Sequence, residues 1–257
     1  MSDLEIIILA AGKGTRMGGE KPKVLVELAG RPMLSYILDT VAQVHDKKPI
    51  IVVGFQADKV KAAMGPGQRY VFQANQLGTG HAVREALAEV SPSAKYIIVL
   101  NGDQPLVGPT TISSLYKAHT AQTSSGQSST HQPLTISTIR VPDFTDWRMP
   151  FYDFGRIIRD EKGLIKKIVE KSEATEQEKA VTEVNPAYYC FDAEWLRDRV
   201  KNIDAVNSKG EFYITSLIGM AQAEGAILNS IEIPEHHGLG VNTPEQLTVA
   251  LKFVEIK

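Results

Sequence analysis

Residues 9–23 read LAAGKGTRMGGEKPK, an apolar run that breaks into a glycine-rich, basic stretch. Its glycines at 12, 14 and 18 miss the dinucleotide spacing G-x-G-x-x-G, which fails at Met17, and no G-x-x-x-x-G-K-[ST] phosphate loop is present. The stretch still has what an anion needs. A strand runs into bare backbone N–H groups, Arg16 and Lys23 add fixed positive charge, and Pro22 stiffens the approach to Lys23. Glycine content alone fits a solvated turn equally well; two basic residues bracketing the loop favour a phosphate cradle. A second chemical group is Asp103, which follows Asn101-Gly102 at the end of an apolar run. Asn-Gly-Asp is also ordinary turn composition, yet a carboxylate at a strand's end facing a phosphate loop suits a hard cation held through few protein oxygens. Other polar residues have plainer readings on their own. Thr79, between Gly78 and Gly80, reads as a helix N-cap, with His81 a structural residue at that helix start. Glu170-Lys171 reads as an exposed pair ending a strand, Asn242 as a cap before Thr243-Pro244, and His236-His237 as part of a solvated loop.

Strands that could hold these groups are predicted at 4–9, 50–53, 70–73 and 96–100. Helical patterns lie between them. One starts near Pro32 with Leu34, Ile37, Leu38 and Val41 on one stripe, one covers 57–64, and one covers 81–90 with Val83, Ala86, Leu87 and Val90. Such crossovers predict an α/β, Rossmann-like open sheet, mainly parallel and twisted, with helices on both faces. Ligands then bind beyond the carboxyl ends of the strands, where 12–16 and 102–103 would lie. Residues 119–133, HTAQTSSGQSSTHQP, read as a polar loop. From 134 to 191 the pattern is strand-rich, followed by helices near 193–201 and 211–223, a strand near 227–233 and a last helix from Pro244. No solenoid or hexapeptide repeat is visible, so a single domain over 1–257 with lobes at about 1–118 and about 134–257 is expected.

Composition narrows the field. With 28 Lys+Arg against 30 Asp+Glu the formal charge is −2, which offers no bulk basic field for nucleic acid or an anionic membrane. A single cysteine, Cys190, leaves no internal disulfide and no Cys-built metal cluster. The longest apolar runs, such as 6–11, fall far below the roughly 18 residues of a membrane span. The opening Met-Ser-Asp-Leu-Glu lacks the basic start of a signal peptide, so a cytoplasmic location is expected.

L-A-A-G-x-G-T-R-M followed by P-K resembles the signature of the sugar-phosphate nucleotidyltransferases, most specifically the uridylyltransferase domain of the N-acetylglucosamine-1-phosphate uridylyltransferase family. The likeness continues through QANQLGTGHAV (73–83), NGDQPL (101–106), FGRI (154–157), IVEKSEAT (168–175), EVN (183–185), KGEFYIT (209–215) and GVNTPEQL (240–247), in the family's order. The resemblance implies transfer of UMP from UTP to N-acetylglucosamine 1-phosphate or a related hexose 1-phosphate, with pyrophosphate released. Alternatives are a glucose-1-phosphate uridylyl- or thymidylyltransferase and a non-catalytic nucleotide-sugar sensor. It makes 1–118 a nucleotide-binding lobe and 134–257 a sugar-binding lobe. Arg16 and Lys23 become the catalytic charges. Leu9, Ala10, Ala11, Gly12, Gly14, Gln73, Gln76, Gly78 and Thr79 become nucleotide contacts, with Gln73 and the Gly78-Thr79 backbone reading uracil. Asn101, Gly102, Gly155, Glu170 and Asn185 become sugar contacts, and Asp103 and Asn242 the ligands of Mg²⁺. Two positions depart from the family pattern: Asn101 stands where Tyr is expected, and Pro186-Ala187 where Thr-Gly is expected. The stretch from Asp103 to Gly155 is also longer than usual. Both substitutions lie where the acceptor sugar is expected, so its identity among N-acetylglucosamine, glucosamine and glucose 1-phosphate stays open. Relatives often carry a C-terminal left-handed β-helix that transfers acetyl groups and builds a trimer. With the sequence ending at Lys257, neither is expected, and a monomer or small homo-oligomer is.

Overall fold

The run LEIIILA forms strand β1 (Leu4–Ala10) in the computed structural model, which describes residues 1–124, 132–204 and 210–254. Its side chains alternate between two cores: Leu4, Ile6, Ile8 and Ala10 enter one, Ile7 the other. A strand covered on both faces reads as a continuous apolar run, as this one does. A short hairpin, β2 (Glu27–Leu28) and β3 (Arg31–Pro32), leads into α1 (Met33–Ala42), which buries Met33, Leu34, Ile37 and Val41. Then come β4 (Ile50–Val53), α2 (Ala57–Met64), β5 (Arg69–Phe72), α3 (Thr79–Ala86) and β6 (Tyr96–Asn101). These four longer strands are parallel in the order β5-β4-β1-β6. The chain therefore winds to one side of β1 and then crosses to the other. The switch point falls between β1 and β6, where Leu9 pairs with Asn101, and such crevices are where open α/β sheets bind ligands.

Helix α4 (Pro109–Ser124) runs into the stretch expected to be loop: 119–124 is helical, and 125–131 lies outside the described residues. Tertiary contact overrides the polar composition. His119 is fully buried, edge-on to the Tyr96 ring and 3.0 Å from Thr135 Oγ1. The second half supplies β7 (Leu134–Arg140), β8 (Gly155–Arg159), β9 (Ile165–Val169), α5 (Glu176–Lys179), β10 (Glu183–Asn185), β11 (Tyr189–Asp192) and α6 (Ala193–Arg199). It ends with α7 (Ser216–Ala223), β12 (Asn229–Glu232) and α8 (Pro244–Val254). Strand β11 lies antiparallel beside β6, which joins both halves into one ten-stranded sheet, β5-β4-β1-β6-β11-β7-β10-β8-β9 with β12 on β7. The expected open sheet is thus present, with its parallel strands in the first half. The strand-rich half is antiparallel apart from β12.

Two local expectations need correction. Helix α7 starts at Ser216 rather than near 211, because 212–214 is held by backbone bonds described below. His236 and His237 are packed rather than solvated, because 235–238 is a 3-10 turn and not an extended loop. His236 stacks on Phe253, and His237 Nδ1 lies 2.7 Å from Thr111 Oγ1. Among the described residues no helix is long and apolar enough to cross a membrane.

Arg156 anchors the approach to β8. Its side chain is fully buried and donates to the carbonyls of Tyr152 (3.0 Å), Lys179 (3.2 Å) and Phe154, with the guanidinium over the Phe144 and Tyr152 rings. Carbonyl dipoles and ring faces replace water around this charge. Arg156→Met removes the donors those partly buried carbonyls now have and the charge packed on the rings, so unfolding free energy should fall by about 2 kcal/mol. The urea midpoint, read at unchanged slope, checks this.

Candidate active site

Lys23 opens the 3-10 turn Lys23–Leu25 directly after Pro22. Gly14 packs against it with φ +66°, and a Cβ there would stand 2.6 Å from Lys23 Cβ, so only glycine lets loop and lysine pass this closely. The Lys23 ammonium bonds Asp103 Oδ2 and, at 2.7 Å, Asn242 Oδ1. Arg16, in the turn Thr15–Met17, donates to the same Asn242 oxygen at 3.1 Å. The backbone brings these groups together, since Val241 N–H donates to the Asp103 carbonyl at 2.9 Å. The cap expected of Asn242 is made instead by Thr243, whose Oγ1 accepts the Gln246 N–H at 3.3 Å. Gln246 Oε1 accepts the Asn242 N–H at 2.6 Å, which leaves the Asn242 side chain to the two cations. Two hard oxygens from distant segments thus converge on one positive charge, and that donor set also fits Mg²⁺.

A cavity of about 260 Å³ lies over the end of β1. Of the expected nucleotide contacts, Leu9, Ala10, Ala11, Gly12, Gln73, Gln76, Gly78 and Thr79 line it, together with Lys23, Asn101 and Asp103. Gly14 and Arg16 do not. A Cβ on Gly12 would meet no atom within 4 Å, so the bareness of that glycine leaves space in the cavity. Thr79 is not an N-cap: Gly78 holds that position, and Thr79 Oγ1 accepts the Ile214 N–H at 3.0 Å. Phe212 N–H donates to Leu77 O at 2.8 Å and Gly80 N–H to Phe212 O at 2.7 Å. These bonds zip 212–214 onto Leu77 and the first turn of α3. They also press Phe212 so near Gly78 (φ +111°) that a Cβ there would stand 2.6 Å from the Phe212 carbonyl oxygen.

A second cavity, about 380 Å³, opens on the other side of Asp103. Asn101, Gly155, Glu170, Asn185 and Asn242 line it, whereas Gly102 lines neither cavity. Gly102 packs behind the strand end, where a Cβ would approach Leu9 O to 2.9 Å and Val24 to 3.0 Å. Glu211 and Tyr213 line both cavities, and Asp153, Phe154 and Thr215 line the second. Sequence reading gave none of these a role. The KGEFYIT block held three of them, hidden by assigning its residues to a helix. Burial and the Glu211 charge push the Tyr213 hydroxyl up to about 12, so it stays protonated and can donate. The sole cysteine has no part here, because burial raises the Cys190 thiol far above its ordinary value.

Residues 6–149 match the family described as MobA-like NTP transferase domain. The chain belongs to this NTP transferase family. It is 41% identical to the bifunctional protein GlmU of a Psychrobacter species over 246 residues, and 35% identical to that of Limosilactobacillus fermentum over 256. Those alignments cover 95% and 99% of this chain but 50% and 53% of the relatives, so the chain spans about half their length. Among solved structures, CMP:2-keto-3-deoxy-manno-octonic acid synthetase superposes with a TM-score of 0.70 at 17% identity, covering 99% of both chains. The 4-diphosphocytidyl-2C-methyl-D-erythritol synthase of Anaerococcus prevotii gives 0.64 at 16%, covering 98% of both chains. These two likenesses show the fold.

In this NTP transferase the two departures from the family pattern touch each other. Asn101 Nδ2 donates to Gln104 Oε1 at 2.8 Å and lies 3.3 and 3.4 Å from the carbonyls of Pro186 and Ala187. Gln104 Nε2 donates to Pro186 O (3.0 Å) and Gly238 O (2.9 Å). Ala187 occupies the left-handed region at φ 62°, held there as its N–H donates to Asn185 Oδ1 at 3.0 Å. Asn185 Nδ2 donates to the Tyr189 hydroxyl at 2.7 Å, so this amide keeps one N–H and one lone pair for anything else. Ala187→Gly removes about 1–2 kcal/mol of Cβ strain and gives back about 0.5–1 in unfolded-state entropy. The expected net gain of about 0.5–1 kcal/mol should appear as a Tm raised by roughly 1–4 °C.

Proposed function

We propose that the chain transfers UMP from UTP to a hexosamine 1-phosphate, N-acetylglucosamine 1-phosphate foremost, and releases pyrophosphate. The observation that carries this reading is the meeting of two cavities at Asp103, with Lys23, Arg16 and Asn242 gathered there. Membership of an NTP transferase family and the relatives named GlmU support it. A nucleotide over the β1 loop and a sugar phosphate against Asn185 and Glu170 would present their phosphates to each other at that junction. An acceptor phosphate oxygen attacks the α-phosphorus, the new P–O bond forms, and the bond to the bridging oxygen breaks in line. The attacking oxygen is already anionic near neutral pH, so no general base is needed. Rate then comes from alignment and charge. Lys23 would exchange its carboxylate partner for α-phosphate oxygens, and Arg16 would take the departing pyrophosphate. Asp103 and Asn242 would hold Mg²⁺. That ion, when bound, neutralises phosphate charge in the way divalent cations do in phosphoryl transfer.

Pyrophosphate release from UTP with N-acetylglucosamine, glucosamine and glucose 1-phosphates tests the reading directly, and no release with any of them would overturn it. Asp103→Asn should lower kcat by at least about a hundredfold, as for loss of one charge stabiliser, in protein that a thermal melt shows to be folded at the assay temperature. Near-normal turnover would remove Asp103 from the metal site. The acceptor wall is taken up by internal bonds: Pro186 has no N–H to offer, and the Asn185 amide is half committed. Discrimination for or against the N-acetyl group should therefore shrink by roughly 10–200-fold in kcat/KM relative to a site that keeps those contacts. A preference above about a thousandfold would contradict this.

A further inference from the structure

Gln73 is 2% exposed, follows β5 and lines the first cavity. Its side-chain nitrogen is 3.2 Å from the Gly78 carbonyl oxygen and 2.8 Å from His81 Nδ1. A carbonyl oxygen can only accept, so the amide's NH₂ end must face that side. The same NH₂ group then donates to His81 Nδ1, which must be the unprotonated ring nitrogen. The ring proton sits on Nε2, and that N–H points at Glu85 Oε1, 3.3 Å away. The chain of bonds therefore sets the tautomer and the amide together, without a choice left over. Gln73 Oε1 is the amide atom that has no hydrogen-bond donor among the described residues.

We propose that His81 is a positioning residue for base selection. By accepting from Gln73 it holds that amide with the oxygen toward the ligand, so the site favours a base that offers an N–H at N3 over one that offers a lone pair there. Uracil and thymine present the N–H, cytosine the lone pair. This rests on the reading above that a pyrimidine nucleotide occupies the first cavity. A protonated His81 would carry a hydrogen on Nδ1 and cease to accept from Gln73, leaving the Gly78 carbonyl alone to hold the amide, which weakens the preference. The surroundings oppose that state. Burial pushes the imidazole below its ordinary value and outweighs the Glu85 carboxylate, and the Arg84 charge acts in the same direction as burial. The ring packed against His81 from the neighbouring segment is Phe212, 6.4 Å away and uncharged, with the Arg84 guanidinium over that ring at 5.5 Å from its centroid.

The test compares kcat/KM for UTP and CTP, with one sugar phosphate, in the unmodified chain, His81→Leu and His81→Asn. His81→Leu removes the acceptor and should cut the UTP-to-CTP ratio by about tenfold or more, whereas His81→Asn, which restores an acceptor near Nδ1, should keep most of it. A residue that only supports the fold would lower both rates and leave the ratio alone. A folded His81→Leu with a ratio within about twofold of the unmodified chain would overturn the proposal while leaving the uridylyl reading intact. No UTP preference in the unmodified chain would overturn both. Should His81→Leu not fold, the unmodified chain decides the matter alone. The ratio is followed from about pH 8 to about pH 5 while His81 is titrated by NMR. A ratio that falls with His81 protonation, and does not fall in His81→Asn, supports the proposal; a ratio flat through that titration overturns it.

Discussion

A single ammonium group holds three remote parts of this chain together. Lys23 is separated by 80 residues from Asp103 and by 219 from Asn242, yet bonds both, with only 15% of its side chain exposed. A cation so withdrawn from water needs oxygen partners in its place, and the neighbouring elements leave room for them. Gly14 is bare so that the lysine can cross the loop. Gly102 is bare so that the end of β6 can seat against β1 and Val24. Thr243 and Gln246 take over the start of α8, which frees the Asn242 amide for Lys23 and Arg16.

The two cavities share more than this cluster. Segment 212–214 is stitched to 77–80 by three bonds of 2.7–3.0 Å, so Glu211 and Tyr213 are carried to the boundary between the cavities by contacts with the first. On the opposite wall, Asn101 and Gln104 reach from the end of β6 to the Pro186–Ala187 turn. Each cavity therefore borrows walls from the other's half of the chain. Sequence distance gives no hint of that arrangement.

The parallel half of the sheet was legible because its strands are buried on both faces, which makes runs such as IIVV at 50–53 unmistakable. That the glycine-rich basic loop would border a cavity at the end of β1 was legible from glycines and charges at short spacing. What escaped were features decided by long-range contact. Residues 119–124 look like loop, but a buried His119 anchors them as helix. Residues 211–215 look like the start of a helix, but backbone bonds to another loop hold 212–214 out of it. The capping role moved from Asn242 to Thr243, one residue along, and the N-cap expected at Thr79 went to Gly78 because the hydroxyl had a tertiary partner. Local patterns assign residues to elements; they cannot say which polar side chain a distant segment will claim.

The antiparallel pairing of β6 with β11 has a consequence for how ligands meet. Tyr189 pairs with Val99 and Cys190 with Ile98, so the end of β6 that leads to Asn101 and the start of β11, just after the Pro186–Ala187 turn, stand side by side at the ladder spacing of about 4.8 Å. No linker or hinge intervenes between the two cavity floors along this path. Any two ligands seated in them are held against one hydrogen-bonded lattice, and their mutual freedom is lost when they bind rather than when they react. In the language of intramolecular chemistry, a stiff sheet of this kind sets an effective molarity, and it does so with backbone bonds that side-chain substitution leaves largely untouched.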